Sequence, residues 1–235
     1  MKSILLVLCA LLCWSCTDTD RLVNAIANDR IMESEYIGFG GSKSKQYKRF
    51  QKLKSTASLY ELEHLIKHES PIIRSYAYLA LIERGHMSPS TAFEDAIQNN
   101  QSFSQITFDQ ILGSDICTEI YYNTLNNSRN PENSINMPFL RSEIIKMDSL
   151  IIYGLEANHL LQFLVLTEKI LDESYNDRIK ELALDFNDFS AIFYIYDNGI
   201  EVEPSKFKEA IKKTLQNKIG SDPKRTLKKI LEELD

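Results

Sequence analysis

From Ser55 to Arg84, apolar residues return at intervals of three and four. Leu59, Leu62, Leu65 and Ile66 come first; after Glu69-Ser70-Pro71 follow Ile72, Ile73, Tyr76, Ala77, Leu79, Ala80 and Leu81. That spacing predicts two helices. Ser55 or Thr56 is placed to cap the first, Ser70 caps the second with Pro71 in its first turn, and Gly85 ends it. So short a turn predicts an antiparallel hairpin. Apolar residues cover more than one face of the second helix, which is therefore expected to pack on two sides. Helical periodicity recurs at 90–98, 139–153, 187–196 and 205–217, and Asp222-Pro223 opens a last helix carrying Leu227, Ile230 and Leu231. Residues 20–32 predict a short helix, whereas 106–122 fit helix and strand alike. The asparagine-rich stretch 123–138, with Pro131 and Pro138, predicts an exposed loop.

The run Ile73-Arg74-Ser75-Tyr76-Ala77-Tyr78-Leu79-Ala80-Leu81, entered through Pro71, resembles the inner helix of a short bacterial HEAT-like repeat. Ile73, Arg74, Ala77, Ala80 and Leu81 match the family's pattern, and Tyr78 departs where a small residue is usual. The resemblance implies alanines that let neighbouring helices approach and an arginine that bonds the turn. Repeats need neighbours to bury their apolar faces. A degenerate second unit spans Leu160 to Phe186, where Ser174 and Arg178 mirror Ser70 and Arg74 and Leu182-Ala183-Leu184 mirrors the apolar end. Asp177 stands where Ile73 would be. The expected fold is all-α, a short HEAT-like solenoid or an irregular α–α array.

At the N-terminus Lys2 precedes an apolar run from Ile4 to Leu12, too short to span a bilayer and suited to a secretory signal. That run, then Ser15 and Cys16, resembles a bacterial lipoprotein signal, which implies acylation of Cys16 and a membrane anchor there. Cys13 and Trp14 are atypical of it, and Cys13-Trp14-Ser15 also suits ordinary signal peptidase, which would leave Cys16 unmodified. With Cys9 and Cys13 in the signal, an acylated Cys16 leaves Cys117 alone, so no disulfide framework is expected and Cys117 is a buried small hydrophobe.

Charge and composition narrow the function classes. The chain has 235 residues, 27 basic and 33 acidic side chains and 43% hydrophobic content, inside the globular range. Its acidic balance gives no general attraction to nucleic acid. The glycines at 38–41 precede Lys43 but lack phosphate-loop spacing and form a turn. Lys43 to Lys54 is basic around the stripe Tyr47, Phe50 and Leu53; a solvated face of a packed helix is favoured there over contact with anionic headgroups. Phe193-Tyr194-Ile195-Tyr196 is favoured as core over a ligand groove.

His64 and His68 stand four apart with Glu61 three before His64, a candidate transition-metal ligand set on one helix face. His86 is expected as a cap and His159 as a surface or groove residue. Nucleophile-elbow, dinucleotide and Cys-x-x-Cys motifs are absent, so catalysis and cofactors are not expected. The expected organisation is a signal peptide at 1–15, a lipid-anchored tether and linker at 16–45, a HEAT-like helical domain at 46–122, the loop at 123–138, and a C-terminal helical region at 139–235 continuing the array. The expected function is a non-catalytic module in the bacterial cell envelope, periplasmic or surface-exposed, that binds another envelope protein. The alternative is a metal-binding protein or metal-dependent envelope enzyme using Glu61, His64 and His68.

Overall fold

A computed structural model describes residues 18–154, 165–166, 171–217 and 220–234. The signal segment, Cys16 and His159 lie outside the described residues. The chain forms two compact units, Met1–Met147 and Asp148–Asp235.

The first unit begins with helix α1 at 18–27, which buries Val23 and Ile26. Strand β1 (Ile31–Ile37) turns through Gly38 and Gly41, both at positive φ, into the two-residue β2 (Ser42–Lys43). Four helices follow: α2 (Lys45–Thr56), α3 (Leu59–Leu65), α4 (Pro71–Glu83) and α5 (Pro89–Ile97). The chain then returns to the sheet as β3 (Ser102–Phe108) and β4 (Gln110–Asp115), and continues as α6 (Ile116–Arg129), a 3-10 helix (Pro131–Asn136) and α7 (Met137–Tyr153). The strand order is β2-β1-β3-β4. β1 and β3 are parallel, with Met32 beside Gln105, and the other two pairs are antiparallel. A parallel pair needs a crossover connection, and α2 to α5 provide it.

This sheet corrects the all-α expectation: the chain is mostly helical with a small mixed sheet, and the described residues show no repeat solenoid. Periodicity misses the strands for a physical reason. β1 reads Ile-Met-Glu-Ser-Glu-Tyr-Ile and buries only Met32, so its stability comes from partners about 70 residues away rather than from its own pattern. Residues 16–45, expected as a tether, supply α1, β1 and β2 from residue 18 onward. Residues 123–138, expected as a loop, are mostly helical: α6 runs through Asn123, Asn126 and Asn127 to Arg129, and the 3-10 helix follows. α6 holds because Asp115 caps it through the Thr118 N–H and because Ile120, Tyr121, Thr124 and Ser128 are buried along it. The Thr124 and Ser128 hydroxyls, otherwise unfavourable there, bond back to the carbonyls of Ile120 and Leu125.

The core of this unit gathers Val23, Ile26, Met32, Phe50, Leu53, Leu62, Ile73, Tyr76, Ala77, Ala80 and Leu81. Phe50 stacks on Tyr76 with ring centroids 4.5 Å apart. α4 is buried from Ile72 to Leu81, on more than one face as its composition requires. It begins at Pro71 after Ser70 and ends in a Schellman motif, where Gly85, at φ +70°, donates to Ile82 O and His86 to Leu81 O. Arg74 is buried and its Nε donates to Ile66 O at 3.1 Å, which ties the turn between α3 and α4.

In the second unit a 3-10 turn (Glu173–Tyr175) leads into α8 (Asn176–Leu184), α9 (Phe189–Asp197), α10 (Pro204–Gln216) and α11 (Ser221–Glu233), each packed on the one before it. Part of the second repeat candidate, including Leu161, Phe163, Leu164 and Ile170, lies outside the described residues. Ser174 is not a helix cap, since Tyr175 holds that position and Ser174 sits in the 3-10 turn capped by Asp172. Arg178 nevertheless makes the bond that Arg74 makes, its Nε donating to Ile152 O at 3.1 Å. Tyr194 and Ile195 are core, and Tyr196 is exposed and bonded to Glu233.

Candidate functional site

The three candidate metal ligands on α3 are not brought together. Ser58, rather than Ser55 or Thr56, caps α3, and Glu61 completes a capping box by accepting from the Ser58 N–H at 2.7 Å and its hydroxyl at 2.6 Å. α3 ends at Leu65, so His68 lies in the turn beyond it, where its Nδ1 accepts the Ser70 N–H at 3.0 Å. His64 remains on the exposed side of α3. Among the described residues no group of three His, Cys, Asp or Glu side chains is set to hold a metal ion. Of the repeat signature, Ile73, Ala77, Ala80 and Leu81 are core residues, Arg74 bonds the turn, and Pro71 starts α4. Cys117 is unbridged and wholly buried, and burial, with Asp115 second, pushes its thiol well above the ordinary range.

A cleft of about 750 Å³ opens in the first unit, bounded by α2, the end of α4, the turn into α5, α6 and the start of α7. One wall is a hydrogen-bonded row. Lys54 Nζ donates to Glu83 Oε2 at 2.6 Å, Asn123 Nδ2 donates to Glu83 Oε1 at 3.3 Å, and Asn127 Nδ2 donates to Asn123 Oδ1 at 3.1 Å. Asn123 and Asn127 share a face because they are four apart on α6. Tyr47, Ile82, Met87, Phe139 and Leu140 supply apolar surface, and Gln51, His86 and Asn136 add polar groups. Phe139 is half exposed. Burial, then the charges of Glu83 and Glu35, hold the Tyr47 phenol above its ordinary value, so it acts as a neutral hydroxyl. A second cavity, of about 420 Å³, shares Tyr47 and Gln51 and is lined also by Glu35, Lys43, Ser44 and Lys48.

The frame of the cleft is fixed by buried polar groups. Glu143 on α7 accepts the Ser90 N–H at 2.9 Å and its hydroxyl at 2.6 Å, which satisfies an orphan donor at the start of α5 beside the Ser88 cap. Burial alone would raise this carboxyl, but Lys146, 2.7 Å away, and the serine donors outweigh it and hold it at about 2. On α2, Gln46 is wholly buried. Its amide donates to Ile31 O at 2.8 Å and accepts from the Glu33 N–H at 2.7 Å and the Tyr76 hydroxyl at 2.8 Å. On the basic face of α2, Lys45, Lys48 and Lys52 are exposed, whereas Arg49 pairs with Asp29, Lys54 with Glu83, and Lys43, just before the helix, with Glu35.

Sequence reasoning passes over Asn123, Asn127 and Phe139, because the first two fall in a stretch whose composition predicts a loop. The available signal is Asp115 followed by Thr118 and Glu119, a cap and first turn that start a helix running through both asparagines. No protein-family model matches the chain, and neither does a curated protein or a solved structure.

Proposed function

We propose that this chain is an exported protein of the bacterial cell envelope, anchored through an acylated Cys16, and that it is a non-catalytic module whose cleft between α2, α4, α6 and α7 receives an extended, uncharged segment of another envelope protein. The observation that carries the reading is the composition of the cleft. Side-chain amides both donate and accept, as a peptide main chain does, and Asn123 and Asn127 are held in a row by their own bonds. Met87, Tyr47 and Phe139 offer the apolar and aromatic surface enriched at interface centres. Lys54 and Glu83 neutralise each other, so neither is a free counter-ion for a charged ligand. The export signal and the Cys16 anchor rest on residues 1–16 of the sequence alone.

The test places a photoreactive phenylalanine analogue at position 139 of the full chain in native envelopes. The expected result is one stoichiometric protein adduct, lost in Asn127→Arg and retained in Glu63→Arg, with the adducted residues in an extended uncharged segment. Cys16→Ala releases the chain from the membrane and lowers the adduct yield. No adduct, or one indifferent to Asn127→Arg, overturns the reading.

A further inference from the structure

The two edges of the sheet are finished differently. The outer side of β1 is closed: the Gln46 amide occupies Ile31 O and the Glu33 N–H, the Tyr76 hydroxyl lies 3.1 Å from Glu33 O, and Ser44 N donates to Glu35 O at 3.0 Å. The strand that completes this side, β2, is two residues long and carries Lys43. Short edges and lysines are the usual protection against strand addition.

The β4 edge has no such protection. A two-residue connection, Phe108-Asp109, makes Thr107 and Gln110 a bonded pair, and alternation then turns the backbone groups of Ile111 and Gly113 away from β3. Among the described residues no bond to the outward groups of these two is found. Ile111 is 64% and Leu112 50% exposed, and Gln110-Ile111-Leu112-Gly113-Ser114 carries no charge. Gly113 has no positive φ and nothing within 4 Å of where a Cβ would stand, so the single chain does not require glycine there.

We propose that β4 pairs with β4 of a second copy of this chain, antiparallel about a twofold axis at Leu112, joining two four-stranded sheets into one. In this register Ile111 bonds Gly113 of the partner subunit and Gly113 bonds Ile111 of the partner subunit, which satisfies all the outward groups of both residues. Leu112 faces Leu112 of the partner subunit as a close, non-bonded pair. The smallest residue thus opposes the β-branched one, and no like charges meet within the paired segment. Just beyond the segment this register sets Asp109 opposite Asp115 of the partner subunit, but the Asp115 carboxylate is buried and turned inward, accepting the Thr118 N–H at 2.8 Å. A second copy fits better than a foreign strand because the segment is complementary to itself. The pairing does not involve the cleft, so either proposal can fail without the other.

The test uses the full chain extracted in mild detergent. Native mass spectrometry should give a dimer at micromolar concentration, and Ile111→Lys, which sets a charge into the seam, should leave a monomer with an unchanged circular dichroism spectrum. Single cysteines at 110, 111, 112 and 113, oxidised in the membrane, should give self-linked dimers at Leu112→Cys well above the other three, because only that position meets itself at disulfide distance. A monomeric wild type, a dimer that survives Ile111→Lys, crosslinks without preference for 112, or crosslinks to a different protein would each overturn the proposal.

Discussion

Glu119 shows how much one buried side chain controls here. It sits in the first turn of α6 and is 9% exposed, with the Ser114 hydroxyl at 2.5 Å and the Gln105 amide at 3.0 Å. Burial dominates over these bonds and lifts its carboxyl from the ordinary 4.5 to about 7. Below pH 4.5 the carboxyl is protonated whether the chain is folded or not. Between 4.5 and about 7 the unfolded chain gives up the proton first, so stability falls as pH rises, by about 3 kcal/mol across the window. Glu119→Gln should flatten that slope and make the variant more stable than wild type at pH 8, measured as urea midpoints at pH 5 and 8. A wild-type midpoint that rises over the same interval would contradict this account. The sequence marks the region only as ambiguous between helix and strand. The position is visible there, but its burial depends on β3 and β4 folding over it.

Among the elements, the junction of α2 with β1 depends on Gln46, whose amide takes the place of a neighbouring strand for Ile31 and Glu33. Gln46→Leu keeps the volume but strands a buried N–H and a buried carbonyl, and should cost about 3 kcal/mol in urea unfolding. Tyr76→Phe removes one bond to the same amide and should cost about 1 kcal/mol. A loss below about 0.5 kcal/mol for Gln46→Leu would mean that water replaces the amide. The stripe of Tyr47, Phe50 and Leu53 is legible from spacing, and Phe50 and Leu53 are indeed buried on α2. Gln46, beside that stripe, is not legible, because a glutamine on a basic helix gives no sign that it will meet a strand edge. α4 is legible almost residue by residue, since Ser70, Pro71 and Gly85 are local signals acting within one turn of the chain.

For the whole molecule, the described core forms without a disulfide, and its one described thiol is sealed in it. Cys117 should therefore react with a thiol reagent only when the first unit unfolds, at a rate that rises with urea in step with loss of circular dichroism. Cys117→Ser removes this slow phase. In the chain without residues 1–15, whose remaining cysteines are Cys16 and Cys117, any fast phase belongs to Cys16 and should be absent where Cys16 is acylated. A fast-reacting Cys117 would show that α6 opens locally.

The sequence by itself determined the positions of most helices, the Ser70, Pro71 and Gly85 boundaries of α4 and the apolar stripes, because these depend on neighbours one turn away. It misplaced the cap of α3, which is Ser58, and that of α11, which is Gly220 rather than Asp222. The anchoring proposal rests on the apolar run from Ile4 to Leu12 and on Cys16. Only the tertiary structure decided that β1, β3 and β4 are strands, that 123–129 continue a helix, and that Glu61 serves its own helix cap instead of joining His64 and His68. The same holds for the cleft, whose walls come from segments about 90 residues apart at the extremes, and for the contrast between the closed and open sheet edges. Strand pairing and cleft lining are contacts between distant residues, and no local spacing encodes them.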